Sequence, residues 1–333
     1  MKIFQSMINA AIIGTGIGLK HFEAINGYRN AKVKIICESN LHKLKKLNQI
    51  YKNLKITSNE NEIFQNKEIN LVSIASYDDD HFSQIKKCIM NNKHIIVEKP
   101  MCLNLYQLNT IKKLLKRHSK IKIISNLVLR KNSLFSAFKK KIETKDVFYI
   151  EADYIWARKH KLFEWRSKIK DYSITLGAGI HMIDLVMWLI NKKPLYVQSF
   201  GNKNITKKTN FKKQSFIVYI FEFPKNVIVK ISANAVGIYE HFHELKIFEK
   251  EKTLVNNFLG SYIFKHDKSK INFKKLNYEY PDKKNRKKII QNFIDILIDR
   301  KRNSIMSFEE QYNLMKVCFA ADRSLNSKKK NKN

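Results

Sequence analysis

The feature that most constrains the fold is an apolar run that leads directly into three closely spaced glycines. Residues 10–13 are Ala-Ala-Ile-Ile, and Gly14, Gly16 and Gly18 follow before a stretch with helical periodicity. A strand that turns into a helix at glycines is typical of a parallel sheet covered by helices. Gly14 would permit the tight turn, Gly16 would let a pyrophosphate approach the backbone, and the helix N-terminus would supply free N–H groups. The alternative is a glycine turn that serves only close packing of the helix on the strand.

The rest of the chain shows two patterns. Up to residue 126, apolar runs alternate with amphipathic stretches, which predicts an α/β domain with a doubly wound, parallel Rossmann sheet. From residue 147, apolar and polar side chains alternate, which predicts an α+β domain on a large, mostly antiparallel open sheet. We expect domains over 1–126 and 127–326 and a disordered, lysine-rich tail over 327–333. The predicted strands are 9–13, 32–37, 71–75, 94–97, 121–125, 147–157, 195–202, 216–223, 227–236 and 243–250, and the predicted helices are 20–27, 41–51, 82–91, 105–118, 180–191, 288–299 and 307–325.

The net charge of +35, from 64 basic and 29 acidic residues, raises the question of a nucleic-acid partner. Lysine far outnumbers arginine, and the lysines are spread along the chain with abundant Asn and Ile, as A/T-biased coding produces. Arginine recognises phosphates and base edges with paired hydrogen bonds, so its scarcity argues against specific nucleic-acid binding. Attraction of a small anionic substrate is a second explanation for part of the charge.

The sequence also bears on compartment and metal binding. No apolar run reaches the roughly 18 residues that a membrane span requires, and the N-terminus lacks the small-residue cleavage site of a signal peptide. Cys37, Cys88, Cys102 and Cys318 lie far apart, without a C-x-x-C pair. This spacing argues against a disulfide framework and a zinc site. We expect a soluble cytoplasmic protein with neither a metal nor a membrane partner.

Three further positions carry candidate chemistry. Glu38 ends the second predicted strand, where a carboxylate accepts hydrogen bonds from the adenosine ribose and repels a 2′-phosphate, which favours NAD over NADP. Lys99, in Glu-Lys-Pro, lies at the carboxyl end of a strand, where open α/β sheets bind ligands, and Pro100 restrains the backbone. His181 begins a helix whose dipole would favour the neutral imidazole that a general base requires. Taken singly, these residues are also consistent with a solvated charge, a surface ion pair and a structural histidine.

Together these motifs resemble a known family. Gly-Thr-Gly-Ile-Gly-Leu-Lys-His, Ser-Tyr-Asp-Asp-Asp-His, Val-Glu-Lys-Pro and Gly-Ala-Gly-Ile-His-Met-Ile-Asp-Leu occur in the order found in the glucose–fructose oxidoreductase/inositol dehydrogenase (Gfo/Idh/MocA) family. The resemblance covers nearly the whole chain. It implies a dinucleotide-binding first domain and a second domain for substrate binding and oligomerisation.

The resemblance also implies roles for individual residues. Lys99 would hydrogen-bond the reacting hydroxyl beside the nicotinamide, and His181 would be the acid/base. Glu98 would help to hold the nicotinamide end, and the Lys99–Pro100 bond would be cis. The expected cofactor contacts are Gly14, Thr15, Gly16, Ile17, Gly18, Glu38, Ser76, His81, Glu98 and Lys99.

The sequence departs from the family pattern at three points. The glycine loop is one residue shorter than G-x-G-x-x-G, and Tyr77 stands where the family usually has proline. Many members carry an aspartate four residues before the histidine, where this chain has Gly177. The proton relay is therefore simpler here, uses Asp184, or is impaired.

The substrate contacts expected from the second domain are Tyr154, Arg158, Arg166, Asp184 and His243. The arginines suit a carboxylate or phosphate, and the set as a whole suits a polyhydroxylated or anionic substrate. The resemblance implies hydride transfer between NAD and a secondary hydroxyl of a sugar, cyclitol or sugar derivative, such as a nucleotide-linked sugar of surface-polysaccharide synthesis. It also implies a homodimer or homotetramer formed through the second-domain sheet. Two alternatives stay open: a cofactor-binding member with lost or altered catalysis, and a basic nucleic-acid-binding protein on a Rossmann scaffold.

Overall fold

A computed structural model describes residues 7–267, 270–278, 280–281, 284–299, 304–327 and 331–332. The chain divides into two compact units, Met1–Val128 with Lys283–Tyr312 and Leu129–Asp282 with Asn313–Asn333. The first break lies close to the expected one at residue 126. The helix Asn285–Ile298, which lies in the part of the chain that we expect in the second domain, clusters with the first unit, because it packs on the helix Gly18–Asn26.

The helices in chain order are α1 (Gly18–Asn26), α2 (Leu41–Ile50), α3 (Asn61–Gln65), α4 (His81–Met90), α5 (Leu105–Arg117), α6 (Ser133–Lys141), α7 (His160–Phe163), α8 (Ile180–Ile190), α9 (Asn285–Ile298) and α10 (Phe308–Ser327). The strands are β1 (Ile8–Ile13), β2 (Ala31–Cys37), β3 (Lys55–Thr57), β4 (Leu71–Ile74), β5 (His94–Val97), β6 (Ile123–Ser125), β7 (Val147–Ile155), β8 (Tyr196–Asn202), β9 (Phe216–Phe223), β10 (Val227–Asn234), β11 (Phe242–Glu249), β12 (Lys252–Asn257), β13 (Gly260–Asp267), β14 (Lys270–Lys275) and β15 (Asn331–Lys332).

In the first unit, the described residues form a six-stranded parallel sheet in the order β3-β2-β1-β4-β5-β6, which confirms the predicted Rossmann sheet. The central strands are buried, and they therefore appear in the sequence as continuous apolar runs. The order reverses between β1 and β4, and doubly wound sheets bind ligands beyond the carboxyl ends of their strands at that point. The edge strand β3 is absent from the sequence prediction because three residues are too few to show a period.

In the second unit, the described residues form a sheet in the order β14-β13-β12-β11-β7-β10-β9-β8-β15. β7 and β10 pair in parallel and the other neighbours are antiparallel, so the predicted mostly antiparallel sheet is confirmed. Strands β7 and β9 bury every second residue along most of their length, the alternation visible in the sequence. β14 is exposed along its whole length and is rich in lysine, so the sequence analysis does not predict it as a strand.

Two further features of this unit are the turn that precedes α8 and the C-terminal tail. A π-helical turn, Thr175–Gly179, precedes α8; the turn packs on β10 and α8 packs on β7. Of the tail expected to be disordered, Ser327 ends α10 and Asn331–Lys332 pair with β8. Residues 328–330 and 333 lie outside the described residues.

Candidate functional site

The three glycines after β1 have different surroundings. Gly14 has φ +86°, and a Cβ there would lie 2.5 Å from the carbonyl oxygen of Ala75. A Cβ on Gly18 would lie 2.9 Å from Cγ2 of Ile12, so this glycine lets α1 pack closely on β1. A Cβ on Gly16 would have no neighbour within 4 Å. Packing therefore explains Gly14 and Gly18 but not Gly16, whose open side fits the approach of a pyrophosphate.

Glu38 lies beside this glycine loop, directly after β2. Its Oε2 accepts from the backbone N–H of Thr15 at 3.2 Å and from the Thr15 hydroxyl, and its Oε1 accepts from the N–H of Asn40 at 2.8 Å. The carboxylate is buried and is held in one orientation by these contacts. Its position next to the loop fits the ribose of a dinucleotide. Ile17, the last residue before α1, is 36% exposed.

Ser76 and His81 flank the turn that joins β4 to α4. The Ser76 hydroxyl donates to Oε1 of Gln84 at 2.6 Å. His81 is fully buried, and its Nδ1 lies 2.8 Å from the carbonyl oxygen of Pro100. His81 thus ties the start of α4 to the Glu-Lys-Pro segment, and its burial makes it a positioning residue for that segment.

Glu98 is the centre of a polar network at the end of β5. Its Oε1 accepts from His21 Nε2 at 3.0 Å and from Asn126 Nδ2 at 2.7 Å, and Arg286 Nε lies 3.5 Å away. The other nitrogen of His21 contacts the Ser73 hydroxyl at 2.7 Å. Burial raises the pKa of Glu98, but the hydrogen bond and charge of His21, together with Arg286 and Asn126, outweigh it and hold the pKa well below the usual range. The network therefore keeps a fixed anion beside Lys99.

Lys99 itself is half-buried and lies between two anchored residues. Glu98 is held by the network, and the carbonyl of Pro100 is held by His81. The Lys99–Pro100 bond is cis, which confirms the expectation from the family resemblance. The backbone at Lys99 is thus fixed from both sides.

In the second unit, the side chain of His181 belongs to a cluster of aromatic rings. Tyr154 on β7 lies opposite His243 on β11, and their rings stack with centroids 4.3 Å apart. The ring of His181 meets Tyr154 edge-on at 5.6 Å and His243 at 6.2 Å. His241 joins the cluster at 5.4 Å from Tyr154. The structure therefore brings together three of the predicted residues: Tyr154, His181 and His243.

The protonation of this cluster follows from its burial. Burial, with a contribution from the nearby His241, lowers the pKa of His243 to about 3, so its imidazole is neutral at pH 7. Burial also raises the pKa of Tyr154 and of Tyr280. The Tyr280 hydroxyl therefore keeps its proton, and its oxygen lies within hydrogen-bond distance of Nδ1 of His243, at 2.7 Å. Neutral hydroxyl and imidazole groups of this kind suit a substrate rich in hydroxyls.

The environment of His181 differs from the expectation in one respect. The helix that carries it extends back through the π-helical turn Thr175–Gly179, so His181 does not lie in the first turn. The effect of a helix dipole falls off within that turn, and the expected dipole stabilisation of a neutral imidazole does not apply. The sequence does not predict the π-helical turn, because the apolar periodicity becomes regular only from Ile180.

Gly177 is the position at which the family resemblance implies an aspartate. A Cβ there would lie 1.9 Å from the hydroxyl oxygen of Tyr172, whose ring is buried against Phe211. A side chain at position 177 and the present position of Tyr172 are therefore incompatible. Tyr172 therefore fills the space that a side chain at position 177 would need, which explains the glycine at this position.

Asp184 forms a buried ion pair with Arg130, which lies in the short 3₁₀ helix after β6. Arg130 Nη2 lies 2.7 Å from Oδ1, and Nε lies 3.0 Å from Oδ2. Both side chains are almost inaccessible to solvent. The geometry makes Asp184 a residue that holds α8 in place, and it does not support the expected contact with substrate.

Arg158 and Arg166, the two remaining predicted substrate residues, lie in the segment after β7. The guanidinium of Arg166 lies 4.0 Å above the ring of Trp165 and 5.4 Å from that of Trp156. His241 Nδ1 donates to the carbonyl oxygen of Trp156 at 3.1 Å, so this segment borders the ring cluster.

Several residues of the two sites are missing from the sequence prediction. They are His21, Ser73, Asn126 and Arg286 around Glu98, and Tyr172 and Tyr280 in the second unit. A usable signal exists for His21, which lies three residues after Gly18 on the buried face of α1. The others come from distant segments that no local pattern connects.

Among the described residues, no group of three or more His, Cys, Asp or Glu side chains is placed to hold a metal ion. In the same part of the chain, no helix is long and apolar enough to cross a bilayer.

Comparison with known proteins gives two family matches. Residues 8–126 match a model described as an oxidoreductase family, NAD-binding Rossmann fold. Residues 139–332 match a model described as an oxidoreductase family, C-terminal alpha/beta domain. The chain is also similar to the uncharacterized oxidoreductase YhhX of Escherichia coli, with 24% identity over 217 residues, or 64% of this chain and 58% of that protein. The match thus spans less than two thirds of that relative's length.

Solved structures share the fold over almost the whole chain. One is scyllo-inositol dehydrogenase from Lactobacillus casei with bound NAD(H) and scyllo-inositol: TM-score 0.81, 15% identity, 98% of this chain and 99% of that chain. Another is the UDP-N-acetylglucosamine 3-dehydrogenase GnnA from Acidithiobacillus ferrooxidans: TM-score 0.81, 14% identity, 96% of this chain and 98% of that chain. At these identities the similarity shows the fold alone.

Proposed function

Because the chain belongs to the Gfo/Idh/MocA oxidoreductase family, we propose that it transfers hydride between NAD(H) and a secondary hydroxyl of a sugar, cyclitol or sugar derivative. The observation that carries the proposal is the open side of Gly16 with Glu38 fixed next to the same loop. Known relatives of this fold that act on a cyclitol and on a nucleotide sugar support the substrate class.

NAD is favoured over NADP by the state of Glu38. Its carboxylate is buried and accepts hydrogen bonds from Thr15 and Asn40. A carboxylate in this place accepts bonds from the ribose hydroxyls and repels a 2′-phosphate. The further residues that would hold the dinucleotide are Gly14, Gly16, Ile17, Gly18 and Ser76, with Lys99 beside the nicotinamide.

The nicotinamide, when bound, supplies the acceptor or donor of hydride. In the oxidative direction His181 takes the proton of the substrate hydroxyl, and it returns that proton in the reductive direction. Lys99 stabilises the negative charge that develops on the oxygen. Glu98 and His81 act as positioning residues because they fix the backbone on both sides of Lys99.

The ring cluster around His181 orients the substrate. Tyr154 and His243 present neutral polar groups in a stacked pair, and Tyr280 fixes the His243 ring through Nδ1. This contact occupies Nδ1 of His243 and leaves Nε2 for a hydrogen bond with a substrate hydroxyl. Asp184 does not take part in the proton transfer, because both of its oxygens are engaged by Arg130.

The hydride transfer is tested by following nicotinamide absorbance with NAD⁺ and a panel of neutral, acidic and nucleotide-linked sugars. His181→Gln is expected to lower kcat by about 10²–10⁴-fold, the contribution of a general base, with unchanged affinity for NADH. His160→Gln is the matched control, because His160 is exposed on α7 of the same unit. Cofactor binding without turnover on any sugar would support the alternative, a family member with altered catalysis.

We also propose that the chain forms a homodimer or homotetramer through the open face of the second sheet. That face carries the ion pairs Lys230–Asp153 at 2.8 Å and Lys246–Glu151 at 3.1 Å. Tyr149 stacks on Phe248 next to them. Charges of both signs around an aromatic pair make the face complementary to a second copy of itself.

A further inference from the structure

The segment after β7 lies next to the ring cluster and is strongly cationic. Residues 156–168 read Trp-Ala-Arg-Lys-His-Lys-Leu-Phe-Glu-Trp-Arg-Ser-Lys, with a single carboxylate. The chain has only nine arginines, and two of them, Arg158 and Arg166, are in this segment. Enrichment of lysine by coding bias therefore does not account for this cluster.

Three cations of the segment are half-buried: Arg158, Lys161 and Arg166. Burial lowers the pKa of Lys161, and repulsion from Arg158 and Arg166 lowers it further, while the exposed Glu164 offsets only part of the effect. Each arginine thus repels Lys161, so the positive charges of this segment lie close enough to act on one another. Such a group is electrostatically complementary to an anion.

No protein carboxylate pairs with these three cations within the part of the chain that the structure describes. The half-buried lysines of the open sheet face show the contrast, since Lys230 pairs with Asp153 and Lys246 with Glu151. Arg166 is held instead by the faces of Trp165 and Trp156. Stacking on a ring face orients a guanidinium while its N–H edge can still take a carboxylate or phosphate.

The cationic segment adjoins the ring cluster through two links. His241, which packs against Tyr154, donates to the carbonyl of Trp156. Burial lowers the pKa of His241, and repulsion from Arg158 and Lys161 lowers it further. A ligand bound to the cations would therefore also reach the cluster that contains His181.

We propose that the substrate is an anionic sugar whose carboxylate or phosphate is held by Arg158, Lys161 and Arg166. This inference rests on the proposed function and narrows its substrate class. The anion offsets the repulsion of Lys161 by the two arginines, and the charge-assisted hydrogen bonds of the arginines orient the sugar ring toward Tyr154 and His181.

The test is a calorimetric titration of the NADH-saturated protein with glucose, glucuronate, glucose 6-phosphate and UDP-glucose. Saturation with NADH removes the cofactor's own phosphates as competitors and prevents oxidation of these sugars. At least one anionic sugar is expected to bind about tenfold or more tightly than glucose, and the tightest one identifies the carboxylate, the monoester or the diphosphate as the anion.

The variants are Arg158→Gln and Arg166→Gln, with Lys168→Gln as the control because Lys168 is exposed in the same segment. Each arginine variant is expected to weaken the anionic sugar about tenfold or more and to leave glucose unchanged. Arg158→Lys, which keeps the charge, is expected to recover part of the loss. Lys168→Gln is expected to have no effect.

Equal binding of glucose and all three anionic sugars would overturn this inference, as would a preference for anions that survives in both arginine variants. If the anion site fails in this way but neutral sugars are turned over, the proposed oxidoreductase function still holds. If the protein binds no NADH, the oxidoreductase proposal fails. The same titration without NADH then shows whether the arginine-dependent anion site exists on its own.

Discussion

A Cβ on Gly177 would lie 1.9 Å from the Tyr172 hydroxyl oxygen, and the next two atoms of that ring are 2.6 and 3.2 Å away. The buried ring cannot swing out into solvent without leaving a cavity beside Phe211. The residue at 177 and the residue at 172 therefore form a matched pair. Position 177 has no room for an aspartate side chain, because Tyr172 occupies the space that it would need.

Gly177→Ala is expected to lower the free energy of unfolding by about 1–3 kcal/mol, because it overpacks a buried site. Tyr172→Leu removes the atoms that clash, so the same substitution is expected to be less costly in that background. Urea denaturation of the four proteins gives the coupling energy as a double-mutant cycle. An equal cost in both backgrounds would show that the contact does not restrict position 177.

At the scale of elements, α10 holds the turn that leads into α8. Asp322 on α10 accepts from the Ser173 hydroxyl at 2.7 Å and from the Thr175 hydroxyl, and Tyr219 on β9 donates to Thr175 at 2.9 Å. Burial raises the pKa of Asp322 to about 6, although the hydrogen bonds from Thr175 and Ser173 and the charge of Lys213 act in the other direction. The anchoring of the π-helical turn is therefore sensitive to pH.

Asp322 is expected to make the protein more stable in mild acid. Its pKa is higher in the folded chain than in the unfolded chain, so the stabilising contribution is full below about pH 4 and is lost as the pH rises through about 6. The loss amounts to about 3 kcal/mol for a shift of about two units. In Asp322→Asn this loss is absent, so the stability of the variant relative to the wild type rises from pH 4 to pH 7 in urea denaturation.

Asp171→Asn is the control for this pH series, because Asp171 is an exposed carboxylate near the same turn. It is expected to follow the wild-type pH dependence. If Asp322→Asn also followed it, the carboxyl of Asp322 would not be the group that titrates.

The elements that were predictable from sequence are those with a strong period or a marked end. Glu38 directly follows β2, and Lys99 comes two residues after the end of β5, so both apolar runs end visibly. His181 comes two residues after Gly179. The network around Glu98 was not predictable, because His21 lies 77 positions from Glu98 and 52 from Ser73. Only the parallel pairing of β1, β4, β5 and β6 brings these residues together, and no single segment records that pairing.

At the scale of the whole molecule, the net charge of +35 opposes association of two copies, so any interface needs local complementarity. Light scattering after size exclusion is expected to give at least twice the mass of one chain. Glu151→Lys, which breaks an ion pair on the open sheet face and adds like charge, is expected to shift the protein toward monomer. Lys113→Glu, at an exposed site on α5, is the control, and a monomeric wild type would contradict the proposed assembly.

The dinucleotide site of the first unit is tested most directly by a calorimetric titration with NAD⁺, NADH, NADP⁺ and NADPH at physiological salt. Binding of NAD(H) is expected to be tighter than that of NADP(H). Gly16→Ala is expected to weaken it about tenfold or more without changing the free energy of unfolding, because a Cβ there meets only open space. No binding of any of the four dinucleotides would contradict the oxidoreductase function.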